Sequence, residues 1–270
     1  MSGDRVPVTL ADAVEDRTDS TVDQLLELLA IDTANPPGET ATIVDAVESR
    51  FESFGIETER VLTDPAKPNL VARIPGASDS TLLYNGHFDT VPYDASAWEH
   101  DPLGERSEDR IYGRGATDMK GALAAMLSVA EAYAETGAVP PVTLQFAFVS
   151  DEEIAGEPGL PTLLDSDRID ADWCVIGETT CENGRHSVTV ADKGSVWLTL
   201  AAEGTAAHGS RPVLGENAID RLYDAVERIR SEFGTERFDM QPEIEDIVTE
   251  SVEYYAPSMG EATARDLFEY

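Results

Sequence analysis

The chain has 270 residues, of which 53 are Asp or Glu and 19 are Lys or Arg, so its formal net charge is −34. Hydrophobic residues make up 41% of the chain, which argues against a disordered polymer and predicts a globular protein. The few basic residues argue against nucleic acid as a partner, because binding phosphates requires clusters of Lys and Arg. No apolar run approaches the ~20 residues that span a bilayer.

Helical and strand patterns alternate over the first two thirds of the chain. Apolar residues at helical spacing predict helices at 21–30, 41–54 and 118–133, with Gly55 as the C-cap of the second. Strands are predicted at 69–74, 81–84, 142–149 and 173–176, and the third is a continuous apolar run typical of a buried parallel strand. This alternation predicts an α/β domain with helices on both faces of a sheet.

The pattern changes at about residue 194. Alternation of apolar and polar residues predicts a half-exposed strand at 195–202, and helical spacing predicts an amphipathic helix at 217–229. The tail from Phe238 is acidic and weakly patterned. We therefore expect a first domain over 1–193 and a second, smaller α+β domain over 194–270.

The polar N-terminus lacks the pattern of a signal peptide, so we expect a cytoplasmic protein without membrane contact. Cys174 and Cys181 form no paired zinc motif and suit a reducing compartment. Acidic residues are spread along the whole chain, which is typical of a hydrated surface suited to high salt. Attraction of cationic substrates or metals is the alternative interpretation.

Four motifs carry His or acidic residues beside predicted strands or a helix start. They are GHFDTVP at 86–92, GRGATDMKG at 113–121, SDEE at 150–153 and IGETT at 176–180. Ligands of open α/β sheets collect at the carboxyl ends of strands. His87 can bind zinc while Asp89 holds its other ring nitrogen. The adjacent carboxylates of Glu152 and Glu153 repel each other and need a counter-charge, which a metal supplies.

Each motif alone has a simpler interpretation. His87 could cap a turn, Thr117 or Asp118 could be the N-cap of the following helix, and SDEE could be a solvated acidic loop. Together the motifs have the form of a metal site, in which imidazole and carboxylate ligands converge on one sheet edge. A shared carboxylate can hold two metals ~3.5–4 Å apart.

With GTAAHGS at 204–210, these motifs resemble the zinc-dependent aminoacylase, acetylornithine deacetylase, succinyl-diaminopimelate desuccinylase and carboxypeptidase G metallopeptidases. The resemblance runs from about residue 21 to about residue 230. It implies a catalytic domain with a mixed, mostly parallel central sheet flanked by helices, and a smaller α+β lid that makes a homodimer contact. It also implies two divalent metal ions, zinc by default, with cobalt or manganese as alternatives.

The same resemblance implies a role for seven residues. His87 would bind one metal, Asp118 would bridge both, Glu178 would complete the first, Glu153 would bind the second, Glu152 would be the general base, Asp89 would orient His87, and His208 would stabilise the oxyanion in a neighbouring active site.

The implied reaction is hydrolysis of the amide of N-acyl amino acids or small peptides by a water activated between the metals. A deacylase of the acetylornithine or succinyl-diaminopimelate type is the first expectation. A dipeptidase or carboxypeptidase, and a non-catalytic metal-binding fragment, are the alternatives. Family members continue past the lid with a further His ligand and with an Asn and an Arg for the substrate carboxylate. No His follows His208 and no Asn follows Asn217, so we expect a fragment that is poorly active alone.

Overall fold

A computed structural model describes residues 9–154, 156, 158–180, 188–189, 197–233 and 242–268. The chain divides into two compact units, Met1–Cys181 and Glu182–Tyr270. The boundary predicted after residue 193 lies outside the described residues, and it stays a prediction. In the described ranges, no helix combines the length and the apolar character of a membrane span.

The helices follow the apolar periodicity of the sequence. In chain order they are α1 (Leu10–Glu15), α2 (Thr18–Leu29), α3 (Ala41–Ser53), α4 (Lys120–Thr136), α5 (Leu160–Asp165), α6 (Ala218–Phe233), α7 (Pro242–Met259) and α8 (Glu261–Phe268). Short 3₁₀ turns occur at Ala95–Ala97 and Pro212–Leu214. The C-cap of α3 is Phe54 and not Gly55 as predicted; Gly55 is the next residue, and its φ of +72° is the left-handed conformation that favours glycine just past a C-cap.

The strands form a five-stranded sheet and a hairpin. They are β1 (Thr58–Val61), β2 (Asn69–Ile74), β3 (Thr81–His87), β4 (Glu105–Ser107), β5 (Arg110–Tyr112), β6 (Thr143–Val149) and β7 (Trp173–Ile176). The sheet order is β1-β2-β6-β3-β7, and β4 pairs with β5. The pairs β6–β3 and β3–β7 are parallel, whereas β1–β2 and β2–β6 are antiparallel. Only β2 opposes the other four strands, so the mixed, mostly parallel sheet is confirmed.

The core of the first unit lies on both faces of β6. Phe146 and Phe148 are fully buried in a cluster with Phe51 of α3 and Leu123 of α4. The alternate residues of β6 pack in a second cluster that includes Leu163 of α5. Burial on both faces explains why β6 reads as a continuous apolar run. It also fixes the carboxyl end of β6 beside that of β3, since Val149 pairs with His87.

A buried carboxylate links helices α2, α3 and α4. Glu131 of α4 is only 2% exposed, and its side chain pairs with Arg17, which directly precedes α2, and with Arg50 of α3. Gln24 of α2 donates a third hydrogen bond to Glu131 at 3.2 Å. Arg17 also pairs with Glu135 at 2.6 Å. Two guanidinium groups compensate the burial of one carboxylate, so the helices are tied together without an isolated buried charge.

Three further sequence expectations differ from the structure. Helix α4 begins at Lys120 with Met119 as N-cap and no side-chain cap, so neither Thr117 nor Asp118 caps it. The described part of the predicted strand, residues 197–202, is irregular. The tail from Phe238, in contrast, contains α7 and α8, because apolar residues such as Ile244 and Val248 recur at helical spacing among its acidic residues.

Candidate metal centre

The site lies at the carboxyl ends of three parallel strands. His87 is the last residue of β3 and is 2% exposed. The turn with Glu152 and Glu153 follows β6, and Glu178 follows β7. Because these strands run in the same direction, their carboxyl ends meet at one edge of the sheet. Asp118 lies just before α4 and completes the group.

Two carboxylates converge on one nitrogen of His87. The Nε2 atom lies 3.0 Å from Oδ1 of Asp118 and 3.0 Å from Oε1 of Glu178. Oε2 of Glu152 is 3.8 Å from the same nitrogen. An imidazole nitrogen carries at most one proton, so it cannot donate to both carboxylates at once. A cation shared by the three side chains accounts for this convergence better than a single proton does.

The donor set fits divalent metal ions. Among the described residues, ligand atoms of His87, Asp118 and Glu153 lie within 4.8 Å of one another, and so do those of His87, Glu152 and Glu178. Oε1 of Glu153 also accepts a hydrogen bond from the backbone N–H of Val91 at 3.0 Å. Imidazole nitrogen with carboxylate oxygens is a set that zinc, cobalt and manganese accept. Four carboxylates around one imidazole also require added positive charge.

Asp89 contacts both the His87 imidazole and the turn that carries Glu152 and Glu153. It is fully buried, and its backbone carbonyl lies 2.9 Å from Nδ1 of His87, while its Oδ1 lies 3.4 Å from the same nitrogen. Its carboxylate accepts hydrogen bonds from the backbone N–H groups of Glu152 at 3.1 Å and Glu153 at 3.2 Å. Asp89 therefore contacts the ring as the sequence predicts, with its carbonyl oxygen nearer than its carboxylate.

The pKa shifts follow from this packing of charges. Burial alone lowers the pKa of His87, but hydrogen bonds with Asp89 and Glu178 outweigh it and raise the pKa to about 11. Burial raises the pKa of Glu152 and of Glu153. The hydrogen bond from His87 lowers the pKa of Glu178. A metal at Nε2 must displace the ring proton, so we expect metal binding to release a proton.

Three polar residues behind the site are not predicted as site residues from the sequence: Asn35 and Asp151 are buried, and Lys67 is partly buried. Asp151 lies within SDEE, but its Oδ1 contacts Nζ of Lys67 at 2.9 Å and Nδ2 of Asn35 at 2.6 Å. Asn35 is part of an Asn-Pro-Pro-Gly segment that reads only as a chain break. No periodicity or charge pattern in the sequence indicates which carboxylate a distant Lys or Asn meets.

His208 belongs to the second unit and is exposed. Its Nδ1 lies 2.8 Å from Oγ of Ser210. Its role as an oxyanion-stabilising residue stays a prediction, as do the individual roles of the residues in the first unit.

Comparisons with known proteins show the family of the chain. The chain is 34% identical over 213 residues to a succinyl-diaminopimelate desuccinylase of Rhodospirillum centenum, covering 73% of this chain and 54% of that protein. It is 30% identical over 189 residues to an acetylornithine deacetylase of Vibrio campbellii, covering 69% and 47%. The chain thus spans about half the length of the curated relatives it matches.

The fold is also found among solved structures. The crystal structure of an M20 family metallo-carboxypeptidase from Sulfolobus solfataricus matches with a TM-score of 0.71 at 21% identity, covering 94% of this chain and 64% of that one. The family model described as peptidase family M20/M25/M40 matches residues 83–260, which include His87, Asp118, Glu152, Glu153 and Glu178. The chain belongs to peptidase family M20/M25/M40.

Proposed function

We propose that the protein carrying this chain is a metal-dependent hydrolase that cleaves the amide of N-acyl amino acids. The observation that carries the proposal is the convergence of Asp118 and Glu178 on Nε2 of His87, with Glu152 at 3.8 Å from the same atom. Membership of the peptidase family supports amide hydrolysis as the reaction class.

His87, Asp118, Glu153 and Glu178 would hold two divalent metal ions, with Asp118 shared between them. When bound, such a pair acidifies a water molecule and polarises the substrate carbonyl. Zinc is our first choice, because the set combines imidazole with carboxylates, and cobalt or manganese would also suit it.

Glu152 would move the proton. Its backbone N–H is held by Asp89, while its side chain is half exposed and adjoins the His87 ring. Burial beside other carboxylates raises the pKa of Glu152, which brings the pKa closer to the pH at which it works. Glu152 would take a proton from water and later deliver it to the leaving amine.

The names of the relatives guide the choice of substrate. Relatives of 30–34% identity are named succinyl-diaminopimelate desuccinylase and acetylornithine deacetylase. We propose an N-succinyl or N-acetyl diamino acid as substrate, with a short peptide as the second candidate. A homodimer through the second unit, with His208 as the oxyanion-stabilising residue of a neighbouring site, is part of the proposal.

The test is amide hydrolysis by the metal-loaded full-length protein that carries this chain, compared with its Glu152→Gln variant. N-succinyl-diaminopimelate, N-acetylornithine and a dipeptide panel are assayed with zinc or cobalt. Glu152→Gln should lower kcat about 10²–10⁴-fold while metal content is retained. The matched control is Glu52→Gln, at an exposed position of α3, which should leave kcat unchanged. Undiminished turnover by Glu152→Gln would contradict the assignment of the base. No turnover of any amide by the unmutated full-length protein that carries this chain would contradict the reaction class.

A further inference from the structure

A buried amide joins two carboxylates behind the metal centre. Asn35 is 1% exposed, and its Nδ2 lies 2.7 Å from Oδ2 of Asp89 and 2.6 Å from Oδ1 of Asp151. A side-chain amide nitrogen carries two hydrogens, so it can donate one to each carboxylate. Asn35 therefore links the carboxylate that contacts His87 to one that lies farther from the ring.

Lys67 supplies the positive charge of this network. Its Nζ lies 2.9 Å from Oδ1 of Asp151 and 3.4 Å from Oδ1 of Asn35. The Lys67 ammonium thus contacts the Asp151 carboxylate and the amide oxygen of Asn35. The amide nitrogen of Asn35 contacts both carboxylates. This pattern determines the orientation of the amide, because the flipped amide would place its oxygen against two anions.

The backbone holds Asn35 firmly against Asp89. The N–H of Asn35 donates to the carbonyl of Thr90 at 2.8 Å, and the hydroxyl of Thr33 donates to the carbonyl of Phe88 at 2.7 Å. The turn then closes over the amide at Gly38, which has φ of +70°. A Cβ at Gly38 would lie 2.6 Å from Cγ of Asn35, so only glycine allows this approach.

We propose that Asn35 and Lys67 are positioning residues of the metal centre. Asn35 holds the Asp89 carboxylate, and Asp89 in turn holds the His87 ring and the backbone N–H groups of Glu152 and Glu153. Lys67 compensates the second carboxylate that Asn35 bridges. The inference rests on the proposed function and adds to it two residues that set the affinity and geometry of the site without touching metal.

The test separates a positioning role from a role in folding alone. Asn35→Asp keeps the shape of the side chain but turns both attractive contacts into repulsive ones. The matched control is Gln24→Glu, which places a new carboxylate against the buried Glu131 in the same unit, outside the metal centre. Each metal-free protein is titrated with Co²⁺ while its visible absorption and heat of binding are followed. Thermal unfolding of each metal-free protein is measured separately.

We expect Asn35→Asp to weaken Co²⁺ binding about 10–100-fold, the usual effect of losing a group that orients a metal ligand, and to change the Co²⁺ spectrum. Gln24→Glu should lower the unfolding temperature but leave the Co²⁺ affinity and spectrum unchanged. Lys67→Met should weaken binding in the same direction as Asn35→Asp, and Lys67→Arg should restore most of it. If Asn35→Asp does not fold, Gly38→Ala decides, because it crowds the amide without changing its chemistry.

The inference is overturned if Asn35→Asp and Lys67→Met both keep the Co²⁺ affinity and spectrum of the unmutated chain. If Asn35→Asp does not fold, the same result for Gly38→Ala and Lys67→Met overturns it. Either result leaves the proposed function intact. Failure of the unmutated chain to bind Co²⁺ would overturn both.

Discussion

Replacing the buried Glu131 with Gln tests whether the charged cluster between the helices holds the first unit together. Glu131 is 2% exposed and accepts from Arg17, Arg50 and Gln24, with the Arg50 Nε contact at 2.5 Å. Gln keeps the shape of the side chain but removes its negative charge, so the buried Arg17 loses one of its two carboxylate partners and the partly exposed Arg50 loses its pairing with Glu131. Breaking a buried pair from one side costs ~3–5 kcal/mol.

The structure places Glu131→Gln at the lower end of that range. Arg17 keeps its second partner Glu135 at 2.6 Å, so one of the two guanidinium groups stays paired. We expect a loss of about 3 kcal/mol, which lowers the unfolding temperature by roughly 6–12 °C for a unit of this size. Glu135→Gln is the matched control, because its side chain is 50% exposed and an exposed pair contributes at most ~1 kcal/mol.

Urea unfolding of the two variants measures the difference directly. The midpoint should fall for Glu131→Gln with an unchanged slope, and molar salt should reduce the difference between Glu131→Gln and the parent chain only slightly, since buried pairs are weakly screened. A midpoint for Glu131→Gln equal to that of Glu135→Gln would refute the reasoning. The cluster would then contribute no more than exposed ion pairs do.

Three further predictions concern stability. Lys120 is buried and donates to the carbonyls of Leu28 and Ile31, and burial lowers its pKa to about 8. The folded state therefore loses this proton at lower pH than the unfolded state does, so stability should rise between about pH 8 and the unfolded-state value of 10.5. Lys120→Met should abolish that rise in pH-dependent urea midpoints, and a rise that persists would exclude Lys120 as its source. Phe148→Ala should cost ~3–5 kcal/mol in urea unfolding, because the ring is fully buried against Phe51 and Phe88, and a loss below ~1 kcal/mol would contradict the packing. Raising salt from about 0.1 M to about 1 M shortens the screening length from ~10 Å to ~3 Å, so the net charge of −34 predicts a higher unfolding temperature, and an unchanged one would count against a surface adapted to salt.

The sequence predicts best where periodicity and burial coincide. The apolar run of β6 is buried on both faces, and the long helices α2, α3 and α4 follow their apolar stripes. Parallel strands present their carboxyl ends at one edge of a sheet, and this rule predicts from the sequence alone that His87 and Glu178 lie close together. In the first unit, the local sequence pattern and the observed fold agree, so the predicted helices and the buried strand are found in the structure.

The prediction fails where a side chain is engaged by a partner distant in sequence. The local sequence around Asp118 allows a helix cap as well as a metal ligand, whereas in the structure its carboxylate contacts His87 and α4 begins without a side-chain cap. Asn35 and Lys67 are also beyond a sequence prediction, because their contacts with Asp151 span 116 and 84 residues. These contacts form between charged and polar groups that only the folded chain brings together, and local sequence preferences carry no information about them.

The central claim is that His87, Asp118 and Glu178 converge because they share a metal ion. Zn²⁺ titration of the metal-free chain, followed by calorimetry and by elemental analysis after dialysis, tests this claim most directly. His87→Ala should weaken binding by more than the ~100-fold that losing a merely orienting group costs. His100→Ala should bind as the parent does, although His100 also contacts a carboxylate, Glu105, at 2.9 Å. Equal Zn²⁺ affinity for His87→Ala and the parent chain would contradict the account.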